Sequence, residues 1–397
     1  MCPVCRSELS LNPADSSLDA TQQAAIRAVD DLASDHFGGQ YLFECDRESR
    51  YPVEAMRALA KSGWAALAVP KEYGGEAGSA LDLVVVHQAI ARHSLAVAQA
   101  YYSLWVLGAD AIERMGTRAQ RDHWLPRIAR GEASIAFAMT EPGSGSDAAS
   151  LATKGTMNDD GDFVVRGQKV FITGAAVANR IITVVRTEAD ADRHSGLSLL
   201  MVDPAAPGVT VRPMKKIGLR ALDLCEVFLD DVVVSAGELV GTAGHAWREL
   251  RLGLAKERLF LAAISVGAMQ DVVERSTSYA RDRRAFGQPI GGFQLVADKI
   301  VRMRMSLDAA TALVRDAARR LDAGDPSATV AASVAKLFCT EAYVTATREG
   351  AQVFGGYGFI DEYPIARHYR DAKYLEIGGG TSQVQTIVIA RSMGLLG

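Results

Sequence analysis

Cysteine is scarce in this chain: five occur among 397 residues, at positions 2, 5, 45, 225 and 339. An odd count at scattered spacings argues against a disulfide framework. Cys2 and Cys5 make one CxxC, with no second CxxC or HxxxH to complete four zinc ligands, so no metal site is expected. No GxGxxG follows a strand to open a helix, which argues against a Rossmann dinucleotide site. The first residues lack the basic, apolar and small-residue order of a signal peptide. Asp15 and Asp19, with little Arg around them, argue against an organellar transit peptide. The longest weakly polar stretch, around Leu95 to Ala111, is interrupted by Gln99, Ser103 and Asp110 and reads as too short to span a bilayer. The expectation is a cytoplasmic protein without a membrane partner. A net charge of −4 and the lack of a Lys/Arg-rich extension give no support for nucleic-acid binding.

What is present is ordinary for a globular protein: 49% hydrophobic and 23% charged residues, with enough chain for two or three domains. After a tail, residues 1–18, the pattern from 19 to 132 is helical. Ala24, Ile26, Ala28, Val29 and Leu32 read as one apolar stripe, and a later helix runs through Leu81 to Ala91. From 133 to 245 short apolar or alternating runs dominate, at Phe163 to Val165, Ile181 to Arg186, Leu197 to Val202, Val209 to Val211 and Cys225 to Val234. From 246 to 397 the pattern is helical again, across Ala246 to Arg281, Phe293 to Asp322 and Ser327 to Gln352. Helices, then strands, then helices is an α+β order rather than alternating βαβ.

Two local patterns carry chemistry. In Phe137–Asp147 a strand-like start breaks into Thr140, Glu141, Pro142 and Gly143-Ser144-Gly145-Ser146. The glycines allow close approach of backbone to a ligand, and the hydroxyls supply donors and acceptors. The second pattern is Glu257, whose neighbours at helical spacing are Leu250, Gly253, Leu254, Phe260, Leu261 and Ile264. A lone carboxylate on an apolar stripe is costly to ionise, so its pKa should be raised, which suits a general base. By pattern alone it reads equally as a core Glu neutralised by Arg258.

Together with Gly167–Ala175 and Arg370–Gln385, the Phe137–Asp147 segment resembles the acyl-CoA dehydrogenase family over nearly the whole chain, from about Asp19 onward. The resemblance implies an N-terminal α-helical domain, a middle β-domain and a C-terminal four-helix-bundle domain, with FAD between the last two. Phe137, Met139, Thr140, Gly145 and Ser146 match the segment lining the flavin. Phe171, Ile172 and Thr173 match the segment covering its other edge, where the family usually carries Trp in place of Phe171. Arg283 and Phe286 match a pair reaching a neighbouring subunit's FAD. Gln294, Gln352, Gly355 and Gly356 match further nucleotide contacts, and Thr381, Ser382 and Gln383 match a helix start facing phosphates. A homotetramer is implied, with electron-transfer flavoprotein as acceptor.

The reaction implied is removal of two hydrogens from adjacent carbons of an acyl thioester, the α-proton to a carboxylate and the β-hydrogen as hydride to flavin N5. Most of the family has its base just before a Gly-Thr-Ser segment, where this chain has Gly379. Glu257 then takes the base role, an exchange that resembles the isovaleryl-CoA dehydrogenase branch, which handles short branched acyl groups. Gly379 retains a backbone N–H for the thioester carbonyl and is expected to leave space beside the substrate's α- and β-carbons, so Gly379→Glu restores some activity to Glu257→Gln if the pocket tolerates the bulk. Ser146, Arg258 and Gly380 match substrate contacts. Ala255 stands where the family often has Asp against the pantetheine arm, so an acyl group on a carrier-protein phosphopantetheine is an alternative to CoA. An oxygen-using oxidase or monooxygenase and a non-enzymatic flavoprotein are the competing readings on this fold.

Overall fold

The computed structural model describes residues 17–188 and 191–396; Cys2, Cys5 and positions 1–16 of the expected tail lie outside them. Seven helices come first: α1 (Ala20–His36), α2 (Gly39–Glu48), α3 (Val53–Lys61), α4 (Ala80–His93), α5 (Leu95–Tyr101), α6 (Leu107–Met115) and α7 (Arg118–Ala129). Three begin with reciprocal capping boxes, Asp19/Gln22, Ser79/Asp82 and Thr117/Gln120, which satisfy otherwise orphaned backbone N–H groups. The α1 stripe is corrected: Gln22, Val29 and Ala33 are buried, whereas Ala24 and Ala28 are exposed. At 100° per residue those two alanines fall on the opposite side of the helix.

A π-helix, Tyr102–Val106, joins α5 to α6. The continuous run Leu95–Met115 is 21 residues and is long and apolar enough to cross a bilayer, contrary to the expectation that it is too short. However, 94% of its apolar window is buried by the rest of the protein, which marks it as a core element.

Eight strands form one sheet: β1 (Ile135–Ala138), β2 (Lys154–Met157), β3 (Phe163–Thr173), β4 (Arg180–Arg186), β5 (Leu197–Val202), β6 (Val209–Pro213), β7 (Leu224–Val234) and β8 (Leu239–Val240). Their order is β6-β7-β3-β2-β4-β5-β8, with β1 paired parallel to β4. Every residue of β5 is buried, and Ser198, its one polar residue, accepts from Gly244 N at 2.9 Å. The β3–β7 register slips between Lys169 and Ile172, and this bulge sets Phe171 at φ +61°.

The C-terminal part holds α8 (Ala246–Asp282), a small hairpin of β9 (Arg284–Ala285) and β10 (Gln288–Pro289), α9 (Gln294–Asp322) and α10 (Ala328–Phe354). Then follow α11 (Pro364–Asp371), α12 (Lys373–Ile377) and α13 (Ser382–Ser392). Neither β8 nor the hairpin is legible in the apolar pattern, since two-residue strands carry no periodicity. A buried relay fastens α11 to the bundle: His368 Nε2 lies 2.8 Å from Asp271 Oδ2 on α8, and Tyr343 Oη on α10 lies 2.7 Å from His368 Nδ1. The N-terminal helices dock on the bundle through Asp322, whose carboxylate accepts from the Ala80 and Leu81 amides at 2.6 and 3.1 Å. Asp322, the last residue of α9, thereby ties the N-terminus of α4 to the bundle. Cys45, Cys225 and Cys339 are buried and free.

Candidate active site

Glu257 on α8 and the Gly378-Gly379-Gly380 turn between α12 and α13 meet in space. A Cβ built on Gly379 would lie 3.5 Å from both Cγ and Cδ of Glu257. The same Cβ would lie 2.3 Å from Leu261 Cδ1, and Gly379 has φ +62°. The positive φ favours glycine, because an L side chain there is strained. The space expected beside Gly379 is occupied by the Leu261 methyl, so Gly379→Glu strains the backbone and must displace that side chain.

Glu257 is half-buried and accepts no hydrogen bond from any described residue. Burial pushes its carboxyl above the ordinary range, while the positive charges of Arg258 and Lys336 pull the other way. Those cations are committed elsewhere. Lys336 Nζ, fully buried on α10, donates to Gly380 O at 2.7 Å and Glu376 O at 3.4 Å. Burial lowers its pKa to about 8. Arg258 is buried, and its Nη1 donates to Ser333 Oγ at 3.2 Å. That bond points Nη1 toward α10, while Nε is buried without a partner among the described residues. Gly380, the other expected substrate residue, has φ +83°, and its carbonyl also accepts from Gln385 Nε2 at 2.8 Å.

The Phe137–Ser146 segment is held from beneath by a buried ion pair. Lys169 Nζ lies 2.7 Å from Glu141 Oε1 and 3.2 Å from Met139 O. Glu141 also accepts from the amides of Ala152 at 2.5 Å and Thr153 at 3.0 Å. Phe137, Met139 and Thr140 are half-buried, while Gly145 and Ser146 are exposed on the loop. On β3, Ile172 is buried and Thr173 half-buried, whereas the Phe171 ring is 56% exposed. The Tyr374 hydroxyl lies near Thr173, and a Cβ on Gly378 would lie 3.0 Å from the Tyr374 ring. The flavin-lining strand and the glycine turn are thus neighbours.

A second group lies apart from Glu257. Arg283, Gly355 and Gly356 line a cavity of about 470 Å³ with Tyr279 and Tyr357. The Arg283 guanidinium sits 5.9 Å above the Tyr357 ring. Phe286 is 96% exposed with φ +50°, and Gln294 and Gln352 are also exposed. Thr381 caps α13 by accepting from Val384 N; Gln383 is exposed, and the buried Ser382 Oγ has no partner among the described residues. These residues fit FAD: an orphaned hydroxyl at a helix start, a guanidinium over an open cavity, and open space over Gly143, Gly145, Gly355 and Gly356.

The pattern missed Lys336, Lys169, Tyr374 and Tyr102 as parts of this region. A signal was available for Lys336, a lone cation among Val334, Ala335, Leu337 and Phe338, where burial demands a partner; Lys169 follows Arg166-Gly167-Gln168 and carries no such signal.

Three family descriptions match the chain: acyl-CoA dehydrogenase N-terminal domain over residues 19–132, middle domain over 136–232 and C-terminal domain over 244–394. A probable acyl-CoA dehydrogenase of Bacillus subtilis, YngJ, is 33% identical over 377 residues, covering 95% of this chain and 98% of that one. The structure of butyryl-CoA dehydrogenase from Megasphaera elsdenii superposes with a TM-score of 0.91 at 30% identity, covering 95% and 98%. That of the prolyl acyl carrier protein oxidase AnaB superposes with a TM-score of 0.88 at 28% identity, covering 95% and 100%. The chain belongs to the acyl-CoA dehydrogenase family and is an FAD-dependent oxidoreductase of that type.

Proposed function

We propose that this protein carries out α,β-dehydrogenation of a short or branched acyl thioester, with Glu257 as the base for the α-proton. The observation that supports this is the pairing of an unbonded carboxylate with a glycine turn on which a built Cβ would lie 3.5 Å from the Glu257 side chain. A base must be ionised yet keen to accept a proton, and burial raises the affinity of Glu257 for protons without a hydrogen bond to quench it. The Gly379 N–H, on backbone that only glycine adopts easily, can polarise the thioester carbonyl and so acidify the α-carbon. When bound, FAD supplies the acceptor for the β-hydrogen as hydride. Lys336 and Arg258 lie behind Glu257 and limit how far its pKa can rise. A base on α8 opposite a glycine is the arrangement that resembles the isovaleryl-CoA dehydrogenase branch.

CoA is the first carrier to consider, and electron-transfer flavoprotein the acceptor. Two observations favour a carrier-protein phosphopantetheine as the second reading: Ala255 offers no carboxylate to the pantetheine arm, and the fold superposes on AnaB. The exposed Phe286, beside an Arg283 whose cavity lies apart from Glu257, supports a homotetramer in which these residues serve a neighbour's FAD. A cytoplasmic location accords with the same reading. The test is anaerobic titration of the FAD-bound protein with short and branched acyl-CoAs and the matching acyl carrier proteins, followed by loss of flavin absorbance. Bleaching by the CoA esters is the expected result. Bleaching by carrier-bound acyl groups alone selects the second reading, and no bleaching by either sinks both.

A further inference from the structure

The three glycines between α12 and α13 lack side chains for different reasons. Gly379 and Gly380 have φ of +62° and +83°, where glycine is favoured. Gly378 has φ −69° and ψ 156°, extended backbone that any residue adopts. What a side chain there would meet is Tyr374. A Cβ built on Gly378 lies 3.0 Å from Tyr374 Cε2, 3.1 Å from Cζ and 3.3 Å from Oη. These atoms are the far end of the ring, so the phenol itself stands where a side chain at position 378 would begin. The two residues are also tied through the backbone, since Tyr374 O accepts from Gly378 N at 2.8 Å.

The phenol faces two further parts of the active site. Its hydroxyl lies near Thr173, at the end of the β3 segment expected to cover the flavin. Burial, and after it the charge of Glu257, keep it protonated. Tyr374 is nevertheless only half-buried, as are Thr173, Glu257 and all three glycines, so each keeps some open surface. The space beside Gly379 is taken as well, by the Leu261 methyl 2.3 Å from a built Cβ. The glycine turn therefore does not widen the cleft. One side chain from α12 and one from α8 fill what the missing side chains would leave.

We infer that Tyr374 is a specificity-determining residue: its ring forms the side wall of the acyl site between the glycine turn and Thr173, and confines the acyl group there to an unbranched chain. This rests on the dehydrogenase reading above and narrows it, against the branched substrates that a glycine turn would otherwise suggest. One methyl group denied its space in an apolar pocket changes kcat/KM by about 10- to 200-fold.

The test measures flavin reduction by the FAD-bound protein with butyryl, 2-methylbutyryl and isovaleryl thioesters, presented both on CoA and on acyl carrier proteins. Each branched ester adds one methyl group to the butyryl chain. Wild type should favour butyryl over either by at least about 10-fold in kcat/KM. Tyr374→Leu should cut that preference by a similar factor, whereas Tyr374→Phe, which keeps the ring, should preserve it. Adding Gly378→Ala to Tyr374→Leu should restore part of the preference by refilling the same volume. A merely structural role would lower kcat/KM for all three esters together, and an unchanged ratio in Tyr374→Leu would overturn the wall. Equal or better use of either branched ester by wild type would also overturn it, which decides even if the variants fail to fold. No reduction by any thioester would overturn the dehydrogenase reading and the wall together.

Discussion

Glu141 and Glu257 each have a buried lysine nearby, and their environments push them to opposite fates. Glu141 meets Lys169 directly at 2.7 Å and takes two further backbone N–H bonds. Burial opposes ionisation there, but the lysine and those donors win, and the carboxyl falls below its ordinary range. Glu257 also has a lysine near it, yet Lys336 spends its protons on the Gly380 and Glu376 carbonyls. With charge nearby but no hydrogen bond, burial wins and the Glu257 carboxyl rises. Both lysines are themselves lowered to about 8 by burial. The lesson is that direct donors, rather than a nearby cation, separate an anchor from a base.

Breaking each carboxylate should therefore give different phenotypes. The largest effect belongs to Glu257→Gln, which should slow substrate-driven flavin reduction by about 10²- to 10⁴-fold, as loss of a general base does. FAD content and melting temperature should hold, because Glu257 bonds to nothing that glutamine would abandon. Wild-type reduction rates in stopped flow would remove Glu257 as the base. Glu141→Gln should do the reverse. It leaves Lys169 buried against a neutral amide, and losing one partner of a buried pair costs roughly 3–5 kcal/mol. Denaturant titration should show that loss of stability, with weaker FAD retention as the Thr140 loop loosens. An unchanged midpoint would mean that the pair supports nothing.

This contrast explains what the sequence could show. The long helices were plain, since α8, α9 and α10 were expected within two residues of their ends from periodicity and the absence of breakers. Glu257 stood out because one charged residue interrupts an apolar stripe. What could not be read was which partner each buried charge would find. Lys169 and Glu141 are 28 residues apart, and Lys336 and Gly380 are 44 apart. Nothing in local periodicity pairs residues across such distances. The close approach of Leu261 to Gly379 was hidden for the same reason, so glycine looked like open space when it marks contact.

The smallest and most discriminating effect concerns Lys336. Its charge lowers the Glu257 pKa without touching the carboxylate, so Lys336→Met should move the rising limb of the flavin-reduction rate to higher pH. The rate would fall near neutrality and recover in more alkaline buffer, whereas Lys336→Arg should keep the wild-type limb. A merely structural role would lower the rate equally at all pH values, and that outcome would separate Lys336 from the base. Stability gives an independent reading with a fixed sign. The folded lysine titrates at about 8 against 10.5 when unfolded, so between those values the unfolded chain holds more protons. Stability must then rise with pH across that window, with Lys169 contributing in the same direction. Lys336→Met should flatten that rise without abolishing it, because Lys169 still titrates, and a slope as steep as wild type would show that folding does not depress the Lys336 pKa.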